Sequence, residues 1–173
     1  RIAVSGGGLQ IIEAMTAYAE QKGVRFFYEL TAQDLLLSED GSVAGLKATQ
    51  KNNQPLMLHG GAVVLACGGF EGNTEMVIRY LGSKGRYLRP VARGGYYNKG
   101  EGIAMALRAG AAPAGDYAGY HAQPIDPRSS ATEAIVMAFP YGVLVNRDGQ
   151  RFVDEAPGSI DAHYEETTLT IAE

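Results

Sequence analysis

The sequence predicts an α+β fold, and three features carry that expectation. Residues 32–59 alternate strand-forming runs with turn signals at Asp40-Gly41 and Asn52-Asn53-Gln54-Pro55, the pattern of an antiparallel meander. Ala62-Val63-Val64-Leu65-Ala66-Cys67 is apolar without a break and runs into Gly68-Gly69, as a fully buried strand ending in a tight turn would. From Ala112 the texture shifts to tyrosines, prolines and short strand-like runs, so a second unit is expected there, with domains over 1–113 and 114–173.

Ile2-Ala3-Val4 leads into Ser5-Gly6-Gly7-Gly8, and apolar residues at 11, 12, 15, 18 and 19 then fall at helical spacing up to a stop at Gly23. The opening glycines are not a dinucleotide fingerprint, because the strand before them is three residues long at best. They are a helix lead-in. Val24–Tyr28 has the β-branched and aromatic content of a strand. Ala32–Ser38, Ser42–Gln50 and Leu56–His59 are the three strands of the meander, with His59 on the surface. The apolar run 62–67 follows as the core strand.

After its glycines, Asn73 is placed to cap a helix over Thr74–Tyr80, since its side chain can accept from an early backbone N–H. Gly82–Pro90 reads as loop. Arg86, Arg89 and Arg93 could grip an anion there, or stand in solvent. A helix rich in small residues follows from Glu101 and ends at Gly110, with the Glu101 carboxylate in its first turn complementing the dipole. In the second unit, short strands are expected at Tyr120–Gln123, Ala134–Ala138 and Gly142–Asn146. A hairpin should turn at Asp148-Gly149, and Ser159 should cap a last helix from Ile160.

Composition excludes several function classes. Fifteen basic against nineteen acidic side chains give a net charge of −4, with no basic stripe, so nucleic acid is not an expected partner. No apolar run reaches the length of a membrane span, and a cytoplasmic location is expected. A single cysteine, Cys67, forms no internal disulfide, and its apolar neighbours predict a buried structural thiol. No metal-ligand spacing stands out. The 23 glycines are about twice the usual share, and they gather at 6–8, 68–72, 94–95 and 100–102.

A buried strand, a glycine turn and a capped helix in succession are how α/β folds bring backbone N–H groups to a phosphate. A tight turn between two core elements gives the same sequence pattern, and both readings stand at this point. Glu101 serves either as a helix-dipole partner or as a contact for a ligand hydroxyl. His121, Thr132 and Glu133 are polar residues beside otherwise apolar strands, structural or functional alike.

In order and spacing, four motifs resemble the flavoprotein subunits of the fumarate reductase and succinate dehydrogenase family. They are Ala66-Cys67-Gly68-Gly69-Phe70 with Asn73, the run Asn98–Gly110 (Asn-Lys-Gly-Glu-Gly-Ile-Ala-Met-Ala-Leu-Arg-Ala-Gly), His121 with Thr132-Glu133, and Leu144–Glu155. Singly each is weak, but together they cover nearly the whole chain. Tyr-Asn-Lys-Gly-Glu-Gly, Gln-Pro-Ile-Asp-Pro-Arg and Ala-Pro-Gly-Ser-Ile-Asp-Ala are most similar to the branch that dehydrogenates tricarballylate.

The resemblance implies an internal piece of a longer protein: part of an α/β-type FAD domain with an inserted meander, then the start of an α+β capping domain. It implies FAD as cofactor of the full-length protein, approached by Gly68, Gly69 and the backbone near Ala32, with Glu101 where the family has an FAD-contacting Asp. His121 and Thr132, with Glu133 beside them, stand where the family holds a substrate carboxylate. The implied reaction is oxidation of a C–C single bond next to carboxylates in a small polycarboxylic acid, of the tricarballylate to cis-aconitate type.

Implied partners are that substrate, the remainder of the FAD domain and an electron-accepting redox protein. By itself the stretch is expected to be inactive, to hold no FAD and to self-associate through uncovered apolar surface. The alternatives are a fumarate reductase or ketosteroid dehydrogenase relative, or a scaffold without activity. One departure matters: several relatives carry a proton-relaying Arg a few residues after the acidic pair, and here that count from Asp154-Glu155 reaches Ser159. No catalytic acid is therefore assigned.

Overall fold

The computed structural model describes residues 5–126, 128 and 138–172. It is an α+β structure of two compact units, one up to Val63 and one from Val64 onward. The domain boundary expected at 113/114 falls within the second unit.

In the first unit, helix α1 (Gly7–Gln21) ends at Lys22. The Gly23 N–H then donates to the Glu20 carbonyl and the Val24 N–H to the Ala19 carbonyl, the paired closing bonds of a left-handed glycine terminus. The meander follows as expected: β1 (Leu30–Leu37), β2 (Val43–Gln50) and β3 (Pro55–His59), antiparallel, with β2 central. Ala48 of β2 pairs with Ala32 on one side and Leu56 on the other, and it is the buried centre of the sheet. Both connections use the same three-residue plan, in which Gly41 or Asn53 takes the left-handed conformation. Asp40 fixes the first by accepting from the Ser42 N–H and hydroxyl, which holds its carboxyl below the usual range.

Two expected strands are not formed. Val24–Tyr28 has no strand partner among the described residues, and it lies open with Phe26 and Tyr28 stacked at 6.4 Å. The apolar run 62–67 is likewise unpaired. Val64 is 86% exposed and Cys67 is exposed rather than buried. The physical reason is the same in both cases: a strand needs neighbouring strands for its N–H and C=O groups, and apolar side chains do not supply them.

The second unit holds α2 (Thr74–Leu81), α3 (Glu101–Arg108) and α4 (Ile160–Ala172), with 3₁₀ turns at Gly82–Tyr87, Arg93–Tyr97 and Phe139–Tyr141. The α3 helix ends at Gly110 with the same pair of bonds as α1, to Leu107 and Ala106. Phe70, Tyr80 and Tyr117 form an aromatic cluster with ring centroids 4.9–6.2 Å apart. Of the expected short strands, Tyr120–Gln123 is not one, Ala134–Ala138 lies almost wholly outside the described residues, and Gly142–Asn146 keeps a single bridge, Val145 to Arg151. That bridge closes the expected Asp148-Gly149 hairpin, where the Asn146 side chain accepts from the Asp148 and Gln150 N–H groups.

Candidate functional site

The glycine turn after residue 67 and the loop before α3 are laced into one joint. The Gly100 N–H donates to the Gly69 carbonyl at 3.1 Å, and the Gly72 N–H to the Asn98 carbonyl at 2.8 Å. Asn73 ties both sides. Its Oδ1 accepts from the Met76 N–H at 3.2 Å, capping α2 as expected, while its Nδ2 donates to the Lys99 carbonyl at 2.9 Å. The Asn98 amide in turn donates to Glu71 Oε1 at 2.6 Å.

Glycine is required here by close approach. Gly68 has φ +78°, and a Cβ on it would lie 2.9 Å from Asn98 Nδ2. A Cβ on Gly72 would meet the Gly95 and Tyr96 carbonyls at 2.6 and 2.5 Å, and one on Gly102 would overlap Cys67 Sγ. Between residues 65–68 and α3 runs a cleft of about 230 Å³ floored by Leu65, Ile103 and Leu107, with no charged side chain on its walls. Its chemistry is that of a packing seam.

Beside the joint, Glu101 opens α3 with its carboxylate exposed, and Oε2 accepts from the Lys99 N–H at 3.0 Å. An ionised carboxylate has several acceptor positions, so this bond still permits a ligand hydroxyl. Gly68, Gly69 and Glu101 are thus brought together. Ala32 lies in the other unit, half-buried in β1 beside a bulge that displaces Gln33 from the register.

His121 is exposed, with both ring nitrogens engaged from α4: Nε2 by the Tyr164 hydroxyl and Nδ1 by Glu165 Oε2 at 3.4 Å. The Tyr164 ring meets the imidazole edge-on, with centroids 5.2 Å apart. Thr132 and Glu133 lie outside the described residues. Glu155, of the acidic pair, has a side chain only 4% exposed. It accepts from the Leu144 N–H at 2.6 Å and from Arg151 at 2.6 and 3.0 Å, and these donors hold its carboxyl below the usual range.

Sequence reasoning did not single out Asn98, Tyr164, Glu165 or the buried role of Glu155. Asn98 was legible in principle, as an Asn facing a glycine turn within a matched motif. The other three depend on contacts that no local pattern announces. Among the described residues, no group of three or more His, Cys, Asp or Glu side chains could hold a metal ion, and no helix is long and apolar enough to cross a membrane.

Comparison with known proteins agrees with this architecture. The chain is 33% identical over 163 residues to NADH:acrylate oxidoreductase of Vibrio harveyi, covering 89% of this chain and 15% of that protein. It is 30% identical over 153 residues to vinyl phenol reductase of Lactiplantibacillus plantarum, covering 83% and 31%. The chain therefore spans less than a third of these relatives. Among solved structures, the open conformation of a flavocytochrome c3 fumarate reductase superposes with a TM-score of 0.56 at 26% identity, over 63% of this chain and 19% of the other. The 3-ketosteroid-Δ4-(5α)-dehydrogenase of Rhodococcus jostii shares the fold, with a TM-score of 0.62 at 24% identity over 90% and 29%. The FAD binding domain model matches residues 2–170, and the chain belongs to that family, the FAD-binding domain of fumarate reductase/succinate dehydrogenase flavoproteins.

Proposed function

We propose that the product of the complete reading frame is an FAD-dependent oxidoreductase acting on a C–C bond next to a carboxylate in a small polycarboxylic acid. Tricarballylate, oxidised to cis-aconitate, is the preferred substrate. The observation that carries the reading is the glycine joint, set within a chain that matches the FAD binding domain family along nearly its whole length. The joint fits the cofactor. Gly68 and Gly69 present backbone without side chains, and Glu101 offers an acceptor to a hydroxyl. Gly68, Gly69 and Glu101 would hold part of the flavin dinucleotide, and the family resemblance separately assigns the backbone near Ala32 to the cofactor.

Bound FAD would supply a hydride acceptor or donor at the substrate carbon. This chain's part is to bind and orient. His121 and Thr132 would donate to a substrate carboxylate, with Glu133 beside them, and fixing the acid in one pose turns the reaction into a positioned step. In this reading residues 1–113 belong to the FAD domain and 114–173 to the substrate-side cap, and a redox protein exchanges electrons with the flavin. The tricarballylate preference rests on the Tyr-Asn-Lys-Gly-Glu-Gly wording of residues 97–102. A second reading is reduction of an unsaturated substrate, favoured by relatives named for acrylate, vinyl phenol and fumarate.

The test is the flavin absorbance of the purified complete product, followed by turnover on tricarballylate, fumarate, acrylate, a vinyl phenol and a 3-ketosteroid. A yellow protein that oxidises tricarballylate fastest is expected. A colourless protein, or one fastest on the steroid, refutes the proposal. Fastest reduction of one of the three alkenes selects the second reading.

A further inference from the structure

We infer that Tyr164 and Glu165 are positioning residues for His121, and that Glu165 occupies the ring N–H that a substrate carboxylate would take. The inference deepens the reading above and rests on His121 serving the substrate. His121 is 72% exposed, so packing does not fix its ring; its two partners on α4 do. A carboxylate can only accept, so Nδ1 carries the hydrogen toward Glu165. In a neutral ring Nε2 must then accept the Tyr164 O–H. Two adjacent residues of one helix thereby select the Nδ1–H form and set the ring plane, with Tyr164 also packed edge-on against it.

The two grips are unequal. Tyr164 holds Nε2 in close contact. Glu165 stands 3.4 Å from Nδ1, beyond the usual 2.7–2.9 Å of a charge-assisted bond, and is itself 45% exposed. The looser partner is the one a ligand displaces. A substrate carboxylate would replace one carboxylate by another at Nδ1, while Tyr164 keeps the ring in place. The arrangement selects for anionic ends, since a neutral group offers Nδ1–H less than Glu165 already does.

The experiment uses the complete flavoprotein with its histidines labelled with ¹⁵N, at a pH where the rings are neutral, and His121→Gln identifies the His121 signals. The wild-type ring is expected as the Nδ1–H tautomer, and Glu165→Ala, which removes the partner that can only accept, should return it to a mixture. A wild-type ring protonated at Nε2, or a tautomer unmoved in Glu165→Ala, overturns the inference, whether or not the variants are active. Kinetics then test the exchange. Tyr164→Phe should raise KM for the carboxylate substrate about 2- to 10-fold with kcat little changed, and Glu165→Gln should lower KM by a similar factor. A KM that rises in Glu165→Gln overturns the displacement. If the tautomer behaves as expected but His121→Gln leaves turnover unchanged, the positioning stands and the substrate role of His121 is what fails.

Discussion

Replacing Asn73 by Ala removes both of its bonds, whereas replacing it by Asp removes only one. Asp keeps an oxygen to accept from Met76 but has no N–H for the Lys99 carbonyl. Loss of a capping Asn costs about 0.5–2 kcal/mol. Loss of the second bond, at a half-buried side chain, costs about 0.5–1.5 kcal/mol more. Asn73→Ala is therefore expected to destabilise the start of α2 by about 2 kcal/mol. Asn73→Asp should cost under 1 kcal/mol, because a carboxylate at a helix start recovers about 0.3–1 kcal/mol from the dipole. The reporter is the buried amide of Val77, whose N–H donates to the Asn73 carbonyl at 2.9 Å. At about 1.4 kcal/mol per decade, its hydrogen exchange should quicken roughly 30-fold in the Ala variant and at most about 5-fold in the Asp variant. Exchange within about twofold of wild type in Asn73→Ala would refute the capping argument. Equal acceleration in both variants would refute the tie to Lys99.

Further outcomes follow from the same geometry. Gly72→Ala drives a Cβ into two backbone carbonyls, so a loss of about 1–3 kcal/mol in thermal or urea unfolding is expected, while Gly94→Ala meets nothing within 4 Å and should be near neutral. Glu155 has a lowered folded pKa, so its stabilising contribution is complete above its ordinary value near 4.5 and disappears as pH falls through the folded value. A melting curve followed from neutral to acid pH should lose stability in that window, and Glu155→Gln should flatten that loss while lowering stability at neutral pH. Tyr117→Leu should cost about 0.5–1.5 kcal/mol beyond its lost area, through the contacts to Phe70 and Tyr80. If the proposed function holds, His121→Ala or Thr132→Ala in the full-length protein should lower kcat/KM roughly 10- to 150-fold with flavin and melting temperature retained. Lost flavin or a lower melting temperature would instead mark a structural role.

Local chemistry was legible where one residue decides the outcome. Asn73 caps because its side chain is short and accepts; Gly23 and Gly110 end helices because left-handed backbone is open to them; Asp40-Gly41 turns the first hairpin. Pairing was not legible. The run 62–67 shows what a strand would bury but not which strand it would bond, and among the described residues it bonds none. Cys67 was misjudged for the same reason, since its burial depended on that sheet. Glu155 looks like a solvated charge beside a hairpin, and only the approach of Leu144 and Arg151 encloses it. His121 finds Tyr164 across 43 positions, a separation that no periodicity can signal. Of the site, the sequence marked Gly68, Gly69 and Glu101 as neighbours through the matched motifs, and the hydrogen bonds show how they are held.

The joint between the glycine turn and the start of α3 also bears on where this protein tolerates change in length. Its bonds join residues 26 and 27 positions apart, so the chain between them leaves and returns through fixed ends. The α2 helix occupies the first part of that excursion, and residues 88–92 near its far side belong to no helix or strand. Once its ends are pinned, doubling the length of a flexible connection costs only about 0.6 kcal/mol. A reporter peptide or a few extra residues placed at 88–92 should therefore leave the geometry of Gly68, Gly69 and Glu101 as it is. Insertion of a single residue between Gly69 and Asn73 would instead shift every partner in the lacing.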